Sequence, residues 1–209
     1  MASGTKEKIL QKALDLFNEV GYVEVGVREI ARALEISPGN LSYHFSKKED
    51  ILFSILFEFS EQNTKLYDEY FAAPPTSARF LTMMKKVFEN QYNFRGVYIG
   101  NQFIQAALLN REGFDYNAIA ARRVATFKRI FDDLNLAGQI RATEEDVSFL
   151  ISFITLFGRF WISEATMFHK SPDKVQTIGY YLSLLARQIS LFATEKGRKS
   201  IDEFRTELA

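Results

Sequence analysis

The sequence predicts an all-α protein. Apolar residues recur every three or four positions along almost the whole chain, and no alternating apolar and polar run lasts for a full strand. Helix breakers are scarce, with 4 Pro and 11 Gly among 209 residues. Apolar residues make up 47% of the chain and Phe alone numbers 20, enough for a sizeable core. The expected organisation is a three-helix helix-turn-helix unit over residues 1–47. It is joined to a larger helical body, residues 48–209, through a helix rather than a flexible linker.

The first helix is expected from Lys6 to Val20. Ile9, Leu10, Ala13, Leu14, Phe17 and Val20 form its apolar stripe, and Gly21 stops it. The second starts near Val27, with Gly26 at the cap position and Glu29 placed to bond back to it. Val27, Ile30, Ala31 and Leu34 face inward. Glu35 and Ile36 make a turn, Ser37 caps the third helix, and Pro38 suits its first position. Leu41 and Phe45 point back to the core. Lys47-Lys48-Glu49-Asp50 opens a long fourth helix that breaks between Phe71 and Ser77.

A fifth helix follows from Ser77 to about Tyr92, then a short one around Asn101 to Leu109, and another from Tyr116 to Leu136 ending at Gly138. Thr143-Glu-Glu-Asp146 resembles a capping box, with Asp in place of Glu, and starts a helix to about Phe168. Ser171-Pro172 starts the last long helix, to about Thr194. The polar tail from Glu195 is either frayed or a short extra helix.

The most informative stretch is Val27–Lys48, VREIARALEISPGNLSYHFSKK. Its second helix carries small and polar residues where a core helix would carry Leu and Ile, as a helix lying in a DNA groove requires. Gly39 permits close backbone approach. Asn40 suits a base edge or a phosphate, Ser42 and Tyr43 are phosphate donors, and His44 donates in either tautomer. Lys48 adds charge to the positive end of the fourth helix, a phosphate seat. Each has a plainer alternative. Ser37 and Pro38 are explained as helix-start residues, Tyr43 could pack on the first helix, and Arg28 could pair with a neighbouring Glu.

These residues resemble the TetR family of transcriptional regulators. The pattern runs through Ala13-Leu14-Asp15-Leu16-Phe17, Gly21-Tyr22, Val27-Arg28-Glu29-Ile30-Ala31, Ile36-Ser37, Gly39, Leu41-Ser42-Tyr43-His44-Phe45 and Lys48-Glu49-Asp50-Ile51-Leu52. It covers about the first 55 residues, with cap, turn, reader helix and following lysine in register. The resemblance implies a DNA-binding regulator, usually a repressor, and places Arg28 near the phosphate backbone. The family usually has Tyr where this chain has Ser42, and Thr or Ser where Gly26 stands. Both departures imply altered or weaker backbone contacts.

The last helix carries Val175, Ile178, Leu182, Leu185, Ile189 and Phe192 at heptad spacing, with Gly179, Ala186 and Ala193 seven apart beside them. The helix before it is apolar on both sides, with Phe153 and Phe160 on one strip. One face can pack on the body and the other asks for a partner, so a homodimer through the last two long helices is expected. The alternative is that both helices lie inside one subunit's core. A dimer would set two reader helices about 34–36 Å apart, matching a palindromic operator.

Aromatic residues at core spacing, Phe88, Tyr92, Phe127, Phe157 and Trp161, lie near the polar Tyr98, Asn101, Gln102, Gln105 and Arg123. Apolar walls with a few polar anchors suit a small apolar or aromatic effector, and the resemblance to a ligand-responsive family implies one. Plain core is the alternative for each.

Other classes fare worse. There is no cysteine, so neither a disulfide frame nor a thiolate metal site is possible. The two histidines, His44 and His169, fall in different units. No phosphate-cradling glycine loop, nucleophile elbow or metal-ligand spacing is present, so no enzyme and no cofactor is expected. The most apolar stretch, Val147–Phe168, is interrupted by Arg159 and Glu164, so no membrane span is expected. The N-terminus lacks a signal-peptide core, and a cytoplasmic protein is expected. The net charge is +0, and residues 1–50 hold seven Lys/Arg against eight Asp/Glu, so DNA affinity must come from placed charges. A helical ligand- or protein-sensing module that does not touch DNA is the remaining alternative.

Overall fold

A computed structural model of the chain describes residues 2–97, 104, 116–168 and 173–208. Among these the regular elements are all helical. They are α1 (Ala2–Val20), α2 (Val27–Ala33), α3 (Pro38–His44), α4 (Lys48–Phe71), α5 (Ser77–Asn93), a 3₁₀ turn (Arg95–Val97), α6 (Tyr116–Leu136), α7 (Glu144–Phe168), α8 (Lys174–Ser190) and α9 (Glu195–Leu208). The expected helix around Asn101 to Leu109 and the Ser171-Pro172 start lie outside the described residues.

The chain forms two compact units. One comprises residues 1–62 and 90–114, the other residues 63–89 and 115–209. The expected boundary after residue 47 falls within the first unit, one residue before α4 begins.

In the first unit, Ile9, Ala13 and Phe17 of α1 are fully buried with Ile30, Leu41, Ile51 and Leu52, so α1 to α4 share one core. The Phe17 and Tyr22 rings meet edge to face at 5.3 Å. Gly21, at φ 91°, ends α1 in the left-handed conformation that glycine adopts without a Cβ penalty. The 3₁₀ turn packs on α1. The Asn18 side chain donates to the Asn93 carbonyl at 2.7 Å and accepts from the Gly96 N–H at 2.8 Å. A Cβ on Gly96 would lie 2.1 Å from the Phe17 carbonyl carbon, so only glycine permits this approach.

In the second unit, α5 to α9 bury Phe80, Leu81, Phe131, Leu134, Leu150, Leu182, Leu185 and Ile201. The capping box at the start of α7 is formed: Thr143 Oγ1 and N donate to Asp146 at 2.7 and 2.8 Å, and Asp146 N donates to Thr143 Oγ1 at 3.2 Å. Asp173 caps α8, its carboxylate accepting from Gln176 N at 2.9 Å.

The last long helix does not reach Thr194. It ends at Ser190 because the backbone turns to pair with the loop after α6: Thr194 N donates to the Gln139 carbonyl at 3.0 Å, and Arg141 N to the Phe192 carbonyl at 2.8 Å. Thr194 then caps α9, accepting from Gly197 N at 3.1 Å. The polar tail is therefore a docked helix. Ile201 and Phe204 are buried, Ser200 Oγ accepts from Ala78 N at 2.9 Å, and Gln139 Oε1 accepts from Ser77 N at 3.0 Å.

Candidate functional site

The helix-turn-helix geometry follows from local chemistry. Gly26 caps α2 in an extended conformation, and its N–H donates to Glu29 Oε2 at 3.0 Å. Glu29 thus supplies the cap bond that Gly26, lacking a side chain, cannot. At the other end of α2, Glu35 N donates to the Arg32 carbonyl and Ile36 N to the Ala31 carbonyl, each at 3.1 Å. This paired bond pattern turns the chain with Glu35 left-handed at φ 55°, a position where glycine would be unstrained. Ser37 Oγ then accepts from Asn40 N at 3.1 Å, and Pro38 opens α3.

α3 buries one residue, Leu41, and turns the rest outward. Gly39, Asn40 and Ser42 are exposed. Tyr43 is 83% exposed, which settles its direction away from α1. The half-buried His44 meets the Tyr43 ring edge to face at 5.2 Å. A Cβ on Gly39 would meet only Ser37 Oγ at 3.9 Å, so nothing inside the chain demands glycine there. Arg28 is exposed and forms no ion pair among the described residues. Arg28, Ser37, Gly39, Asn40, Ser42 and Tyr43 are therefore all exposed on α2, the turn and α3.

Lys48, expected as a phosphate seat, folds its side chain back onto the chain. Its ammonium donates to the carbonyls of Tyr22 at 2.8 Å, Val25 at 2.9 Å and Val23 at 3.4 Å, and lies 4.1 Å from the Tyr22 ring centroid. The sequence pattern places a lysine at a helix start but does not show which way its long side chain folds. Tyr22 is itself perturbed: burial, the Glu49 charge and a hydrogen bond to Glu49 push its phenol up to about 12.

The seam of α8 is turned inward. Ile178, Leu182, Leu185 and Ile189 of the heptad seam, with Ala186 beside them, are buried within the chain. The exposed apolar residues are Phe149, Leu156, Phe160 and Met167, one stripe of α7, with Tyr180 and Leu184 on one side of α8 and Leu191 at its C-cap; Val175, also exposed, lies half a turn away on the seam side. Of the residues expected to meet a partner, Phe160 is exposed, Phe153 is half-buried, Val175 is exposed at the start of α8 on the seam side, and Gly179 has open space where a Cβ would stand. A groove of about 300 Å³ runs along this face, lined by Phe153, Leu156, Phe160, Tyr180 and Leu184 among others.

The expected effector residues are only partly described. Tyr98, Asn101, Gln102 and Gln105 lie outside the described residues, and Tyr92 belongs to the first unit. In the second unit Phe88 stacks on Trp161 at 4.9 Å and tilts against Phe157 at 6.0 Å, while Trp161 meets Tyr181 at 5.2 Å. Phe127 packs on Tyr67 and Phe131, and Arg123 is exposed. The Tyr181 hydroxyl, which sequence reasoning passed over, is buried in this cluster without a hydrogen-bond partner. Among the described residues no group of three metal-ligating side chains occurs.

Comparison with known proteins completes the description. Residues 9–55 match the family model of bacterial regulatory proteins, tetR family. The probable HTH-type transcriptional regulator YttP of Bacillus subtilis (strain 168) is 29% identical over 98 residues, 46% of this chain and 47% of that protein. The HTH-type transcriptional regulator AcrR of Shigella flexneri is 40% identical over 62 residues, 30% of this chain and 28% of its own length. The matches thus span about half of the first relative and under a third of the second. The crystal structure of a TetR-family transcriptional regulator from Marinobacter aquaeolei VT8 covers 98% of both chains, with 25% identity and a TM-score of 0.85.

Proposed function

We propose that this chain, a member of the TetR family of transcriptional regulators, binds a palindromic DNA operator as a homodimer and represses transcription until a small apolar or aromatic effector binds. The observation that carries the reading is the outer face of α3, where Asn40, Ser42 and the 83% exposed Tyr43 project from a helix whose inner residue, Leu41, is fully buried. Asn40 reads a base edge. Arg28, Ser37, Ser42, Tyr43 and His44 hold the phosphate backbone, and Gly39 lets that backbone come close. With a net charge of +0, affinity rests on these placed groups and on pairing two copies.

The exposed strip on α7 and α8 supports the dimer. Leu156, Phe160, Tyr180 and Leu184, all exposed, line one groove across the helix pair, an apolar patch of the kind that a second copy buries. The aromatic cluster of Phe88, Phe157 and Trp161, with the Tyr181 hydroxyl buried among them, and Phe127 packed on Tyr67 and Phe131, support an aromatic effector carrying one hydrogen-bonding group. The effector acts only by binding one spacing of the two reader helices better than another. The protein works in the cytoplasm, where its DNA is.

Selection from random duplexes followed by binding across a salt series tests the reading. The expected product is a pair of inverted half-sites about one helical turn apart, with affinity falling steeply as salt rises. No enrichment at low salt would leave the chain a sensing module without DNA.

A further inference from the structure

We infer that Lys48 is a positioning residue that ties the Tyr22–Val25 loop to the first turn of α4, and that the neighbouring Lys47 is the cation meeting DNA at this corner. The inference rests on the DNA-binding reading above and replaces the phosphate role that the sequence suggests for Lys48.

An ammonium has three N–H donors, and those of Lys48 have three carbonyl acceptors, on Tyr22, Val23 and Val25. The Tyr22 ring covers the cation from the side at 4.1 Å. No donor is left over for a phosphate. Reaching one would strip the Tyr22 and Val25 carbonyls of their partner in a part-buried loop, a cost that a single exposed phosphate contact does not recover. The surrounding charge points the same way. Burial lowers the Lys48 pKa, while Glu49, Glu24 and Glu29 hold it up. These three carboxylates offset part of its charge through space.

The loop it holds leads directly into Gly26, the cap of α2. Tyr22 and Val25 are buried, so side chains fix the loop on one side and the ammonium fixes its carbonyls. The start of α2 is thereby set, and through the Glu35 turn so is α3. Lys47 has no such anchorage. Its side chain is exposed and forms no ion pair among the described residues, and its backbone N–H is the group bonded, to Asp50 at 3.2 Å.

Three measurements on the full chain test this. Treatment of the DNA-free protein with an amine-acetylating ester should modify Lys48 at least about tenfold more slowly than Lys47, since the carbonyl contacts must break first. Lys48→Met should lower the Tm of the free protein by about 3 °C or more and weaken binding to the selected duplex without changing its salt slope. Lys47→Met should keep the Tm and reduce that slope by about one. Equal acetylation of the two lysines overturns the inference. So does a Lys48→Met protein with unchanged Tm and a slope smaller by about one. If the unaltered chain enriches no duplex, the DNA reading falls, while acetylation and Tm still decide the tie.

Discussion

Tyr43 and Asn40 sit three residues apart on the exposed side of α3 and are expected to fail differently. Tyr43→Ala should weaken binding to every duplex alike, because a phosphate contact carries no sequence information. Asn40→Ala should instead relax preference at one base pair by about 1–3 kcal/mol. A panel of singly substituted operators separates the two patterns, and an unchanged profile for both variants would remove α3 as the reader. Glu35 stores strain at φ 55°. Glu35→Gly should raise stability by up to about 1 kcal/mol in urea unfolding, the left-handed penalty removed exceeding the entropy glycine adds to the unfolded chain. Asp146 gives the pH dependence. Its hydrogen bonds from the Thr143 backbone and then its hydroxyl hold its pKa below the ordinary 3.8. A depressed carboxyl contributes stability that is fully present above the unfolded value and is lost as pH falls through the folded one, so this cap weakens only below about pH 3.8. Thr143→Ala should return the Asp146 titration seen by NMR toward its ordinary position.

Most helices were legible because each carries one strong apolar stripe bounded by a cap or a glycine. α1 and α7 are the clear cases, with Gly21 ending one and Thr143 opening the other. Two features were not legible. The end of α8 at Ser190 depends on backbone pairing with Gln139 and Arg141, residues about fifty positions earlier, and no local pattern encodes that. The choice of face on α8 was hidden because the helix is apolar on more than one side. The better heptad, Ile178 to Ile189, is claimed by the subunit's own core. At the interface, outward residues of α3 could be read from spacing, whereas the inward fold of Lys48 could not, since its carbonyl partners lie in a loop without pattern. Two glycines test element contacts. Gly197→Ala would set a Cβ 1.8 Å from the Gln139 carbonyl oxygen and should undock α9, opening Arg198 and Lys199 to trypsin. Gly96→Ala should separate the 3₁₀ turn from α1 at a cost of about 1–3 kcal/mol.

Over the whole molecule, the two apolar faces of α7 and α8 make opposite predictions. Leu156→Glu, on the 63% exposed strip, should yield a folded monomer by sedimentation, with DNA affinity lost along with the second reader. Leu182→Glu, fully buried, should instead unfold the body. A Leu156→Glu protein that still sediments as a dimer would move the interface elsewhere. Long-range bonds also give the second unit a history in time. The N–H groups of Ser77 and Ala78, in the first turn of α5, are satisfied by Gln139 and Ser200, 62 and 122 residues further along. During synthesis α5 emerges long before either acceptor exists. Its opening turn must stay hydrated while α6, α7 and α8 are still being made, and α9, which follows them, closes the first turn of a helix made more than a hundred residues earlier.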